Sequence, residues 1–217
     1  MAARPGHAYR VRRDDTIGDF LDQLAARVPA PGGGACAALS AAQAAALLSM
    51  VARYSTGEKY QEHAETIQAV LAESEAAREH AVHLAQDDAA AFAVVSDAYQ
   101  LPKTTPEEKA ARRAAIARAL VGAVQPPAAT ITAAARLVEL AETLVPIGNS
   151  NVITDVGVAA ELARAAACSA RLNVEVNLAG LTDEDGHRGF RDALAGVDEL
   201  VKRAEKVTAA VREAISR

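Results

Sequence analysis

The chain is 217 residues long, room for one large domain or two small ones, and its formal net charge of −5 leaves no electrostatic footprint for nucleic-acid binding. It is 51% hydrophobic but only 3% aromatic, with no Trp, so its core must be built from Ala, Val and Leu. Side chains that small suit closely packed helices better than a β-sandwich.

Residues 1–14 read as a flexible lead. Arg12 and Arg13 are followed by no apolar stretch, so no secretory signal is expected, and the protein is read as cytoplasmic. Thr16 with Asp19 has the form of a capping box, opening a first helix that runs to about Val28. Pro29 and Pro31 end it. Gly32, Gly33 and Gly34 come next, and then a helix from about Ala35 to Tyr54. No charge occurs from Ala35 to Ala52. That length is near the lower limit for a membrane span, but the segment is mostly Ala with Ser40, Gln43 and Ser49 interleaved. It reads as a helix buried among helices, with no membrane partner.

Gly57 breaks the chain, and a long helical segment follows from about Glu58 to Gln100. Thr105, Pro106 and Glu108 make a start signal: an N-cap threonine, proline in the first turn and glutamate at the third position. That helix is expected to stop at Pro126-Pro127, with a further helix over residues 128–145. The next helix spans about Asp155 to Arg171. Residues 173–178, NVEVNL, alternate and are the one candidate strand. A charged helix runs to the C-terminus. The expected architecture is all-α, a single multi-helical bundle domain of about seven helices over residues 15–217, without internal repeats. Cys36 and Cys168 have neither metal-ligand spacing nor a disulfide framework and read as buried thiols.

Three places carry candidate chemistry. On the long helix, Ile67, Val70, Leu71, Ala81, Leu84, Phe92 and Val95 form an apolar stripe, and Asp88 lies on it, four residues after Leu84 and four before Phe92. A carboxylate there is either hydrogen-bonded structure or a desolvated acid–base group. His80, His83 and Asp87 share another face, but Glu73, Glu79 and Gln86 surround them as on a solvated surface, and no metal site is expected. Residues 32–37 match G-x-G-x-x-A formally. The motif needs a preceding strand, so dinucleotide binding is rejected. Glycines before a helix still expose backbone N–H groups at its positive end, suited to a carboxylate, or make a tight turn. Finally, Asn149, Ser150, Asn151, Thr154 and Asp155, with Asn173 and Asn177, either cap helices and turns or line a pocket for a heterocycle rich in donors and acceptors.

In order along the chain stand PAPGGGACAAL (29–39), STGEKY (55–60), DDAAAF (87–92), LPKTTPEEKAARRAAI (101–116), GNSNVITDVGVAA (148–160) and NVEVNL with LTDE (173–184). This ordered set resembles the cyclodeaminase domain of formiminotransferase-cyclodeaminase and the related stand-alone methenyltetrahydrofolate cyclohydrolases, over nearly the whole chain. The resemblance implies a multi-helical homodimer acting on tetrahydrofolate derivatives, polyglutamylated ones among them, with no metal or cofactor beyond that substrate. It implies Asp88 as the catalytic residue, four residues before Phe92. It implies substrate binding by Lys103 of the LPK segment, Asn149 of the GN pair and the following Asp155; Gly32, Gly33, Gly34 and Asn177, singled out from the residues themselves, complete the candidate set. Ser55, Glu58 and a single Lys59 depart from the threonine and several basic residues usual around that glycine.

The implied reaction is cyclodeamination of 5-formiminotetrahydrofolate to 5,10-methenyltetrahydrofolate and ammonia, with a separate formiminotransferase as supplier. The alternative is hydrolysis of 5,10-methenyl- to 10-formyltetrahydrofolate in the same pocket, and a second alternative is a non-catalytic folate-binding or assembly module. Lys109, Arg112 and Arg113 either attract a polyglutamate tail or form an exposed basic face.

Overall fold

The computed structural model describes residues 11, 14–181 and 184–216, the side chains of 184–189 and 192 excepted. Most of the expected lead over residues 1–14 lies outside the described residues. Val11, within it, is buried beside Ala30, Ala35 and Leu84.

Among the described residues there are six α-helices and no strand: α1 (Ile17–Ala25), α2 (Gly33–Tyr54), α3 (Ala64–Gln100), α4 (Pro106–Ile147), α5 (Ile153–Ala179) and α6 (Glu184–Ile215). Short 3-10 turns, Glu58–His63 and Ser150–Val152, lead into α3 and α5. Both expected capping boxes form, Thr16 with Asp19 and Thr105 with Glu108, each satisfying backbone donors that a helix start leaves free.

Helix α2 sits at the centre and packs against α3, α4 and α5. It is long and apolar enough to cross a membrane, yet Ala35, Ala38, Ala41, Ala44, Ala45, Leu48 and Val51 are fully enclosed by the other helices. Alanine at so many contacts lets backbones approach closely, and the core is completed by Leu137, Val138, Leu144, Val156 and Val174 from α4 and α5.

Two expectations are corrected, and the count of about seven helices falls to six. Pro126-Pro127 does not end a helix: α4 runs unbroken through both residues. Proline lacks an N–H, so Pro127 leaves the carbonyl of Ala123 without its helical donor. Asn177 of α5 replaces that donor, its Nδ2 reaching the Ala123 carbonyl at 2.9 Å. Both prolines are buried, so tertiary packing overrides their local preference. Residues 173–178 are helix and not strand, continuing α5 to Ala179. Their alternation coincides with helical spacing, since Val174 and Leu178 are buried four apart and Glu175 turns outward to pair with Arg171 at 2.9 Å.

Candidate functional site

The start of α2 is built around Asp88. Gly32 is the N-cap, in extended conformation (φ −140°, ψ −159°), and Gly33 and Gly34 form the first helical turn. None of the three needs a left-handed backbone; among the described residues the one glycine that does is Gly57, with φ +96°. The requirement at Gly34 is space. A Cβ there would overlap the Asp88 carboxyl group, with Oδ2 only 2.6 Å away. Without it, the carboxylate rests against the helix start and accepts a hydrogen bond from the Ala35 N–H. A Cβ on Gly32 would meet nothing within 4 Å, and one on Gly33 would make only ordinary contact with Asn173.

Asp88 opens into a cleft of about 220 Å³. The floor is backbone, from Pro29-Ala30 and the three glycines. Phe92, one turn further along α3, forms one wall and is half-exposed. Ala123 of α4 and Asn173, Val176 and Asn177 of α5 form the other. Asn173 donates to the Ser169 carbonyl and Asn177 to that of Ala123, both at 2.9 Å, which fixes each amide in place. Each side-chain oxygen remains an acceptor beside the cleft.

Asp88 is the one ionisable side chain among the described lining residues. Burial raises its pKa from an ordinary 3.8 to about 6, and the Ala35 N–H partly offsets the rise. Cys36, half-buried one turn into α2, has its thiol pushed up first by burial and then by the Asp88 charge. A raised thiol pKa makes Cys36 a poor nucleophile.

The other residues singled out from sequence lie elsewhere. Lys103 is exposed in the α3–α4 connection, lining a wider hollow with Lys109, Arg112 and Arg113. Asn149 stands beyond the far end of α2: its Nδ2 donates to the Tyr54 carbonyl at 2.7 Å, its Oδ1 accepts from the Asn151 N–H, and its own N–H donates to Ser55 Oγ. Asp155 is half-buried in the first turn of α5, where a negative charge suits the helix start. The 22 residues of α2 thus separate Asn149 from the Asp88 cleft by about 30 Å. One chain therefore brings together Asp88, Gly32, Gly33, Gly34 and Asn177, and leaves Lys103, Asn149 and Asp155 outside the cleft. Asn173, weighed from sequence as a turn or pocket residue, lines the cleft, and Val176 and Ala123 join it without having been singled out from sequence. His80, His83 and Asp87 are all exposed.

An all-helical enzyme with one desolvated carboxylate at a glycine-lined helix start is the class these features define. Sequence comparison specifies it further. A family profile described as formiminotransferase-cyclodeaminase matches residues 16–196, and the chain belongs to that family. It is 46% identical over 171 residues to a methenyltetrahydrofolate cyclohydrolase of Methylorubrum extorquens, covering 78% of this chain and 82% of that one. It is 34% identical over 172 residues to the formimidoyltransferase-cyclodeaminase of Mus musculus, of which it spans only 32%. The fold is that of the formiminotetrahydrofolate cyclodeaminase of Thermotoga maritima, with TM-score 0.82 and 26% identity over 93% of this chain and 98% of that one. The chain is thus a folate one-carbon enzyme of the cyclodeaminase and cyclohydrolase family.

Proposed function

We propose that this protein hydrolyses 5,10-methenyltetrahydrofolate to 10-formyltetrahydrofolate, with Asp88 moving the proton. The observation that carries the proposal is a single carboxylate, raised to about 6, alone in a neutral cleft. The methenyl carbon of this substrate belongs to a cationic amidinium. A buried carboxylate complements that charge, and the cation in turn favours the ionised carboxylate. At pH 7 a group with a pKa near 6 is about nine-tenths ionised, close to the best compromise between availability and basicity.

The chemistry follows from these properties. Asp88 takes a proton from a water molecule as its oxygen bonds to the methenyl carbon, giving a neutral hydroxyl adduct. The same carboxyl returns the proton to N5 as the carbon–N5 bond breaks. Loss of the hydroxyl proton leaves the formyl group on N10, so one proton is released per turnover. The oxygens of Asn173 and Asn177 are placed to orient the donors of the pterin.

Cyclodeamination is the second reading, supported by the cyclodeaminases among the relatives and by the Thermotoga maritima structure. It uses the same proton shuttle, with N10 as nucleophile and ammonia departing, and it calls for a separate formiminotransferase. Hydrolysis is taken as the first reading, supported by the likeness to a cyclohydrolase over most of both chains. The proposed working form is a homodimer, a reading supported by Phe92, Leu172 and Val176, exposed apolar side chains at and beside the cleft.

The test is to follow the methenyl absorbance band with purified protein. Its accelerated loss from 5,10-methenyltetrahydrofolate supports hydrolysis, and its appearance from 5-formiminotetrahydrofolate supports cyclodeamination. No change with either substrate defeats both.

A further inference from the structure

Aromatic rings are scarce in this chain: three Phe, four Tyr and no Trp. Most of those described have an evident structural task. Phe20 packs against the cluster that holds Ala30, Ala35 and Leu84, and Phe190 packs against the main core. Tyr60 and Tyr99 each carry a protein cation, Lys59 and Arg112, at 5.4 Å from the ring centre. Phe92 does neither. It is half-exposed, and among the described residues it is the one aromatic side chain that lines the Asp88 cleft. A phenyl ring left in water forfeits much of the burial free energy that usually keeps phenylalanine inside, so its place at the cleft suits a guest that covers it.

Asp88 presents the complementary half of the argument. Its carboxylate accepts from the Ala35 N–H, and among the described residues no lysine, arginine or histidine lines the cleft beside it. A buried carboxylate without a counter-charge is costly, and a bound cation relieves that cost. Asp88 and Phe92 are four residues apart on α3, so they share one face, with Cβ atoms about 5–6 Å apart. The rest of the lining is neutral: Asn173, Val176 and Asn177 of α5, Ala123 of α4 and the backbone of Pro29, Ala30 and the three glycines. A carboxylate and a phenyl ring one helical turn apart in a neutral cleft attract the same guest, a flat organic cation. Contact with the carboxylate leaves such a cation within reach of the ring, since attraction to a ring face extends to about 6 Å from its centre.

We propose that Phe92 reads the charge of the substrate: its ring covers the cationic methenyl group and so favours the cation over folates that are neutral at the one-carbon centre. The inference rests on the reading of the Asp88 cleft as the one-carbon site. It adds to that site a specificity-determining residue that takes no part in moving the proton. The consequence appears at the end of turnover. Hydrolysis converts the amidinium into a neutral formamide, which keeps the pterin and loses the charge. Attraction to Phe92 and to Asp88 then falls together, and the product leaves a cleft that held the substrate.

The test measures KM and kcat for 5,10-methenyltetrahydrofolate, and the inhibition constant of 5-formyltetrahydrofolate, which is neutral at its one-carbon group. The proteins are the native chain, F92L and F92Y, at one pH and one salt concentration. Leucine keeps an apolar side chain without a ring face, and tyrosine keeps the face. F92L is expected to raise KM about tenfold with kcat within about twofold, the pattern of lost binding rather than lost chemistry. Its inhibition constant for the 5-formyl compound should move by less than about twofold, and F92Y should stay within about threefold of native in all three quantities. Equal weakening of both ligands in F92L makes Phe92 an apolar wall and overturns the charge reading. An unchanged KM in F92L, or a rise in F92Y as large as that in F92L, overturns it too. A native protein that does not turn over the methenyl compound defeats the hydrolase reading and this proposal with it, whereas normal turnover with an F92L that matches the native enzyme defeats the role of Phe92 alone.

Discussion

Replacing Asp88 by asparagine keeps the shape of the side chain and removes its charge, and the structure predicts opposite effects on stability and activity. In the folded chain the carboxyl titrates near 6; unfolded, it returns to its ordinary 3.8. Between those values the folded state binds more protons than the unfolded one, so stability falls as pH rises through the window and the deficit is complete above about 6. The difference of about 2.2, at about 1.4 kcal/mol per pKa unit, amounts to roughly 3 kcal/mol, of which 2–3 kcal/mol is a reasonable expectation for a group still touching solvent. Asp88→Asn cannot ionise, and its amide oxygen can still accept from the Ala35 N–H. Urea unfolding should show the variant more stable than the native chain by about 2–3 kcal/mol at pH 8 and nearly equal to it at pH 4. Turnover should drop by about 10²–10⁴, the usual contribution of a positioned acid–base group. A stability gain that is the same at both pH values refutes the desolvation argument. Full activity in the variant removes Asp88 from the mechanism.

The pH dependence of kcat/KM for the native enzyme should bend near pH 6, falling about tenfold per pH unit below it because the free enzyme must hold Asp88 ionised; a flat profile from pH 5 to 7 contradicts this. Gly34→Ala gains helix propensity but drives a methyl group into the Asp88 carboxyl, so activity should fall at least about a hundredfold while the melting temperature moves little; Gly33→Ala, which meets only Asn173 at 3.7 Å, should leave the carboxylate in place, and equal activity losses in both refute the packing argument. Asn177→Leu should destabilise the fold by about 1–3 kcal/mol by stripping the Ala123 carbonyl of its donor, and Pro127→Ala should relieve part of that loss by restoring a backbone N–H; a double-mutant cycle with no coupling disproves the replacement of one donor by the other.

Much of this architecture was legible from local signals, and the failures share one cause. The two capping boxes are read from four-residue patterns whose chemistry is complete within the pattern, and both form as expected. Asp88 could be singled out because helical periodicity is also local: a carboxylate four residues from Leu84 on one side and from Phe92 on the other must share their face. The continuity of α4 was not legible, because the donor that makes Pro127 tolerable comes from Asn177, 54 residues away from the carbonyl it serves. The strand reading of residues 173–178 failed for a related reason. Asn173 and Asn177 share a face under either period, and only burial by α2 and α4 decides that Val176, and not Glu175, accompanies them to the cleft. Asn149 and Asp155 look like pocket residues in sequence, but distance along α2 is set by the fold, and it sets them at the opposite end.

The role of the alanine-rich helix follows from what Asp88 requires. A carboxylate keeps a pKa near 6 only where water is largely excluded, and exclusion requires α3 to lie close against the start of α2. Large side chains on α2 would hold the two helices apart, and Asp88 would return to solvent and to a pKa near 4, a weak base at neutral pH. Ala35 and Ala38, packed with Leu84, Ala85 and Ala89 of α3, permit the approach, and Gly34 permits it at the one point where even a methyl group is too large. The Ala35 N–H then offsets part of the cost of burying the charge. The destabilisation that Asp88 brings is absorbed by the core that the same helix organises, where Leu48, Val51, Leu137, Val138, Leu144, Val156 and Val174 are fully enclosed. Charge burial and close packing are thus one structural requirement, and a substitution that enlarges this face of α2 should lower the Asp88 pKa and the reaction rate together.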